Sequence, residues 1–369
     1  MSFLFKIKKY ISAKRGVLLP FINNKRKVFL DYPPHWITIG ITNACRNSCV
    51  FCPYHSEDAR EESKVFNIPF TMDMTCFKKI VDMAKESGVP AVHICAAGEP
   101  FMNRDVLQMI DYCIEVYGQA SIQTCFDQVL FEKFQYLDEI IARRNNIRYI
   151  TTDILSGDPQ HHNAIKLGSS YDNTMNCLER ISNESDIKIQ ITWVLTKLNY
   201  TTLINWLHDA INRKLRNVSV NLVNVFPFNF NNFTSPEVLY TVNDIDIMKT
   251  LKTVKAYGKQ YQIKINIPPP VGSNKLRCNV FWQKFQIRPV KSSAPDRYYE
   301  NTIPNACHAV VKGNLNSLGH LFDYKTIMDF WNNAKLLSIR QNLINGIYPD
   351  KECKYCYLCQ SDDAVHRQK

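Results

Sequence analysis

Two periods of apolar residues alternate along most of the chain. Period-two or continuously apolar runs, which predict strands, fall at residues 36–42, 91–95, 120–125, 147–154, 187–195, 218–225 and 261–267. Between them, apolar residues spaced three and four apart predict helices over residues 73–87, 105–117, 131–144, 171–182, 202–214 and 242–257, the first closed by Gly88. Strand then helix, repeated roughly six times, implies a parallel sheet with helices outside it. In such sheets the chemistry sits at the carboxyl ends of the strands.

Prolines punctuate this pattern. Pro33-Pro34 marks an extended entry, and Pro268-Pro269-Pro270 is a stiff break. They divide the chain into an N-terminal segment (1–34), an alternating α/β region (35–270) and a third region (271–369). This last region is irregular and holds five of the 13 cysteines: Cys278, Cys307, Cys353, Cys356 and Cys359. Weak periodicity combined with many thiols points to a domain that relies on metal for part of its stability. No solenoid repeat and no low-complexity tract interrupts the chain.

Composition narrows the class. The 369 residues are 45% hydrophobic and 21% charged, enough to bury a substantial core. The net charge of +11 favours acidic partners, but the excess is spread rather than clustered, which argues against nucleic acid. The start of the chain is interrupted by Lys6, Lys8, Lys9, Lys14 and Arg15 and holds no signal-peptide core. It reads as a helix packed on the domain or a basic amphipathic helix on a membrane surface. No run approaches the ~20 apolar residues of a membrane span. Thirteen cysteines without secretion signals suit a reducing cytoplasm, with thiolates used as metal ligands.

The notable thiols follow the first strand. Cys45, Cys49 and Cys52 form CxxxCxxC on its exit loop. Three such thiolates fit three corners of an iron–sulfur cubane and leave the fourth iron open, as a catalytic site requires. The same spacing fits a zinc site completed by a distant ligand such as His55. In the third region, Cys353-Lys-Tyr-Cys356 and Cys356-Tyr-Leu-Cys359 are overlapping CxxC units, again fitting a cluster or a zinc ribbon.

With Phe51 between its second and third cysteines, the motif resembles the signature of the radical S-adenosylmethionine (SAM) superfamily, CxxxCxφC. Further segments resemble the superfamily in order: Gly98-Glu99-Pro100 after the second strand, with Ala97 replacing a usual glycine, and Thr124-Cys125-Phe126 after the third. The stretch from Leu155 to Leu178 follows, with Ser156 and Lys166 at SAM-contact positions, and then Thr196-Lys197-Leu198-Asn199 after the fifth strand. The third region resembles the SPASM or shorter twitch extension: Cys278-Asn-Val-Phe-Trp282, Cys307, Gly319-His-Leu321, Phe330-Trp331-Asn332 and the terminal CxxC occur in its order.

The resemblance implies a fold: a partial (β/α)6 TIM-like barrel followed by a small irregular SPASM/twitch-like iron–sulfur domain. It implies a 4Fe–4S cluster on Cys45, Cys49 and Cys52, and SAM contacts from Phe51, Tyr54, Gly98, Glu99, Pro100, Thr124, Ser156, Lys166 and Asn199. One auxiliary 4Fe–4S cluster on Cys278, Cys307, Cys353 and Cys356 follows as well, with Cys359 as an alternative ligand. The implied activity is reductive cleavage of SAM to a 5′-deoxyadenosyl radical, which takes a hydrogen atom from substrate, with flavodoxin or ferredoxin as reductant.

Other residues have two readings. Cys76, Cys113 and Cys177 lie in helical segments and read as small core residues. Cys95 and Cys125 end strands at the reactive face, where a thiol would return a hydrogen atom to a substrate radical or simply be buried. His161 and His162 are substrate contacts or exposed residues at a helix start, and residues 226–230 line the pocket or pack the barrel's open side. Only about 35 residues precede the first strand, too few for a fused leader-binding domain of peptide modifiers. That favours oxidation or epimerisation of a small polar, carbohydrate- or aminocyclitol-like substrate over modification of a ribosomally made peptide. From another class, the rival is a non-enzymatic, metal-stabilised module that binds nucleic acid.

Overall fold

Every second residue of the first strand is isoleucine: Ile37, Ile39 and Ile41 are fully buried, while Thr38 and Gly40 turn to the opposite face. This division recurs along the sheet and sets the architecture. The structure, a computed structural model, describes residues 26–52, 55–56, 71–95, 98–225, 236–272, 278–288, 301–303, 318, 321–348 and 353.

The strands are β1 Trp36–Gly40, β2 Val92–Cys95, β3 Ala120–Gln123, β4 Ile147–Asp153, β5 Lys188–Leu195, β6 Val218–Asn224, β7 Lys264–Asn266, β8 Lys284–Arg288 and β9 Asn301–Ile303. They form one nine-stranded sheet in the order β9-β8-β1-β2-β3-β4-β5-β6-β7. All neighbours are parallel except β8 and β9. The main helices are α1 Met74–Glu86, α2 Val106–Tyr117, α3 Gln128–Phe134, α4 Tyr136–Ala142, α5 Pro159–Ile165, α6 Tyr171–Glu184, α7 Leu203–Asn212 and α8 Ile245–Gln260. Three more follow β7: α9 Val280–Gln283, α10 Ile327–Trp331 and α11 Ala334–Ile344.

The helices cover the isoleucine face. Ile94, Ile122, Ile150, Ile189, Ile191, Trp193 and Val220 join Phe77 and Ile80 of α1 and Leu178 and Ile181 of α6 in one core. The opposite face, the inside of the open barrel, carries Thr38, His93, Gln123, Thr151, Asp153, Gln190, Thr192, Ser219 and Asn221. On β5 and β6 these inner positions keep partial exposure while their neighbours are sealed.

Differences from the sequence expectation have local causes. The helix expected over 131–144 is two helices, because exposed Gln135 adopts φ 51° and ends the hydrogen-bonded ladder. The chain also rejoins the sheet beyond Pro270: β8 lies parallel to β1, pairing Trp36 with Lys284 and Ile39 with Ile287. The sheet thus crosses the boundary expected at residue 270. Phe281, Trp282, Phe330, Trp331, Cys278 and Cys353 share the core of the barrel. No helix among the described residues is long and apolar enough to cross a membrane. The segment 1–25 and residues 226–230, each given alternative roles above, lie outside the described residues.

Candidate active site

β1 delivers the cysteine loop to the carboxyl end of the barrel. The loop is held on both sides: the Glu99 N–H donates to the Ala44 carbonyl (2.8 Å) and the Val50 N–H to the Ile165 carbonyl (3.0 Å). Cys49 and Ser48 pair antiparallel with Lys166 and Leu167 in a short ribbon. A turn closes the motif, the Cys52 N–H donating to the Cys49 carbonyl (2.9 Å). Gly98 has to lack a side chain, since a Cβ there would lie 2.0 Å from the Ala44 carbonyl oxygen.

Glu99 is 2% exposed beside this loop. One carboxylate oxygen accepts from the Thr124 hydroxyl (2.9 Å) and the Phe101 N–H (3.1 Å), the other from the Cys125 N–H (2.6 Å). Burial pushes its pKa up, and these donors oppose the shift. The Cys125 thiol lies between the Cys45 sulfur and Glu99; its hydrogen bond holds the Cys45 thiol below its ordinary value and raises that of Cys125. Burial raises Cys49, with the Asp153 carboxylate adding to it.

Lys166 crosses to the same place. Only 1% exposed, it pairs with the Asp153 carboxylate (2.9 Å) and donates to the Asp153 carbonyl (3.2 Å). Burial alone would lower its pKa, but Asp153 and the thiols of Cys125 and Cys49 outweigh that and raise it. Phe51 packs with Val194, Val225, Val238 and Leu239, joining the loop to the far strands.

The expected site residues therefore converge in part. Cys45, Cys49, Glu99, Thr124, Cys125 and Lys166 form one connected group, with Pro100 buried in the turn after Glu99. Ser156 and Asn199 are buried and bonded within the protein. Ser156 donates to the Thr202 hydroxyl (3.0 Å), and the Asn199 amide donates to the Leu155 (2.8 Å) and Val194 (2.7 Å) carbonyls, so both fix the ends of β4 and β5. His162, expected at the surface, is instead fully buried, accepting from the Leu155 N–H (3.3 Å). Cys95 donates to Gln123 inside the barrel (2.9 Å), and Cys113 and Cys177 are core residues as expected. Tyr54, Cys307, Cys356 and Cys359 lie outside the described residues.

Sequence reasoning missed Asp153, whose signal was an acid closing a strand beside the expected site. It also missed Arg46, paired with Asp127 (3.3 Å), and Asn47, whose buried amide has neither nitrogen nor oxygen bonded.

The donor set fits an iron–sulfur cluster. Cys45, Cys49 and Cys52 are partly exposed, in no disulfide, and share one loop, and the Asn47 backbone N–H is directed at the Cys45 sulfur. Among the described residues no three His, Cys, Asp or Glu side chains converge on a single-ion site. A cubane does not need that convergence, since each thiolate binds a different iron.

Residues 39–210 match the radical SAM superfamily. They are a radical SAM domain. Such domains use SAM and a 4Fe–4S cluster. No curated protein matches the chain. Among solved structures, Streptococcus suis SuiB bound to SAM is similar with a TM-score of 0.63 at 17% identity, covering 83% of this chain and 68% of SuiB. SuiB bound to its precursor peptide SuiA gives 0.64 at 17%, covering 92% and 79%. Native anSMEcpe with bound AdoMet gives 0.60 at 14%, covering 88% of each chain. At such identities the likeness is one of fold: a radical SAM partial barrel.

Proposed function

We propose that this radical SAM enzyme oxidises or epimerises a small polar, carbohydrate- or aminocyclitol-like substrate. The observation that carries this reading is the polar barrel interior. Gln190, Thr192, Ser219 and Asn221 present hydrogen-bonding groups at partly exposed positions, with Val194 and Val223 as the apolar members of the same rows. A bound, reduced cluster and SAM would together supply a 5′-deoxyadenosyl radical able to take a hydrogen atom from the substrate.

The chain's own residues bind and orient. Cys45, Cys49 and Cys52 hold the cluster. Glu99 receives the SAM amino group, and Phe51, Tyr54, Pro100 and Thr124 shape its pocket. Lys166 with Asp153 fixes the ribbon that carries Cys49, as Ser156 and Asn199 fix the strand ends. For epimerisation Cys95 is the better hydrogen donor, because it lies on the barrel interior with Gln123, whereas Cys125 is engaged by Cys45 and Glu99. Its S–H would give a hydrogen atom to the substrate radical; the thiyl radical left would take one electron and one proton, the electron from flavodoxin or ferredoxin. An auxiliary 4Fe–4S cluster on Cys278, Cys307 and Cys353 with Cys356 or Cys359 would accept or relay electrons, and a reducing cytoplasm suits both clusters.

A second reading, modification of a peptide, is favoured by one feature. A groove of about 550 Å³ between α8 and the sheet's end strand β7 combines Lys252, Lys255, Lys259 and Lys264 with the apolar Ala256, Ile263 and Ile265, suited to a segment with both acidic and apolar side chains.

The test is incubation of reduced enzyme and SAM in deuterated water with separated pools of polar metabolites and peptides. The proposal expects a polar metabolite to gain one deuterium or lose two mass units. Change confined to the peptide pool would favour the second reading.

A further inference from the structure

Glu99, Asp127, Lys166 and Arg340, the buried acidic and basic side chains among the described residues, all have bonded partners. Lys284, partly buried, has no such partner. It opens β8 on the inner face beside Trp36, and its ammonium stands 4.8 Å over the Trp36 ring. No Asp or Glu among the described residues meets it.

The next row deepens the imbalance. His93 pairs with Thr38 on the same inner face and is 9% exposed. Its ring stacks on Tyr149 (5.4 Å, 24°), and its buried Nδ1 has no hydrogen-bond partner. Burial and the Lys284 charge push His93 down to about 4, so its imidazole is neutral, and burial lowers Lys284 to about 8. Lys284 is hemmed in by protein yet keeps part of its surface accessible. A partly buried ammonium without a carboxylate partner, near enough to His93 to act on its charge, and a buried imidazole nitrogen without a hydrogen-bond partner favour an incoming anion.

We propose that Lys284 and His93, walled by Trp36 and Tyr149, form an anion subsite that takes a carboxylate or phosphate group of the substrate. This deepens, and rests on, the reading of the interior as a substrate site. Trp36 lies four residues below Gly40, the level of Cys95. At about 3.3 Å per residue the subsite sits about 13 Å from the cysteine-loop end of the barrel. A sugar acid or sugar phosphate anchored there by its charged end would turn its neutral carbons toward that end.

The experiment measures thermal stability of the anaerobically reconstituted full chain in inorganic phosphate or sodium acetate, with chloride holding ionic strength constant. Saturable stabilisation by one of them is expected, and which one does so separates phosphate from carboxylate recognition. Lys284→Met should weaken half-saturation by about tenfold or more, the scale of one charge-assisted hydrogen bond, and Lys284→Arg should keep most of the response. Without anion, Lys284→Met should melt no lower than wild type, because it removes an unpaired ammonium. His93→Phe, which keeps the stack and removes the ring nitrogens, should also weaken the response. No saturable stabilisation of wild type, or equal responses in wild type, Lys284→Met and His93→Phe, would overturn the subsite. 5′-Deoxyadenosine formation by wild type is scored separately: its absence beside a Lys284-dependent anion response would remove the proposed reaction and leave the subsite standing.

Discussion

Glu99 shows how much one buried carboxylate organises. It takes hydrogen bonds from Phe101, Thr124 and Cys125, tying the exits of β2 and β3 to the cysteine loop. Glu99→Gln turns an acceptor into a donor facing the Cys125 N–H. We expect SAM affinity, measured by equilibrium titration, to fall by about tenfold or more; unchanged affinity would assign Glu99 to loop bracing alone. His162 carries a pH signature. Burial holds the folded side chain at about 3 against an ordinary 6.5. Below 6.5 the unfolded chain takes up a proton that the folded chain refuses until about 3. The contribution of His162 to stability is therefore complete above 6.5 and lost as pH falls through this window. Denaturant unfolding from pH 7 to 4 should show this decline, and His162→Gln should flatten it; an equal slope in both would refute the assignment. Cysteine spacing and short motifs made Cys45, Cys49, Cys52, Glu99 and Lys166 legible in the sequence. Lys284 and His93 were not, because neither has a motif and their meaning comes from the partners they lack.

Among the elements, the period-two and period-3.6 patterns located the strands and most helices, since each strand's helix-facing positions are apolar. The break between α3 and α4 was not legible because nothing in the sequence marks Gln135 as left-handed. Exposed and free of packing, Gln135 isolates the backbone effect. Gln135→Val should cost more than about 1 kcal/mol in denaturant unfolding, because β-branching disfavours positive φ. Gln135→Gly should be neutral or stabilise slightly. Equal effects would mean that the turn is not held as described. β8 was likewise missed: a parallel strand's partner is set by the crossover topology, which periodicity does not encode.

Across the whole molecule, the third region is bound into the barrel. Arg340, fully buried on α11, donates to the carbonyls of Phe281 (2.8 Å), Trp331 (2.7 Å) and Val28 (3.2 Å), joining three distant segments around the base of β8. Arg340→Met would strand those carbonyls and should cost about 3 kcal/mol or more. If the regions were separable, the variant would instead melt the third region and leave the barrel transition unmoved. The central claim is that Cys45, Cys49 and Cys52 make the chain a SAM-cleaving enzyme. The most direct measurement is 5′-deoxyadenosine formed by anaerobically reconstituted, dithionite-reduced protein, compared with its Cys49→Ala variant. The account predicts that wild type releases 5′-deoxyadenosine and the variant releases none. Equal release by both, or none from wild type carrying its full iron complement, would contradict it.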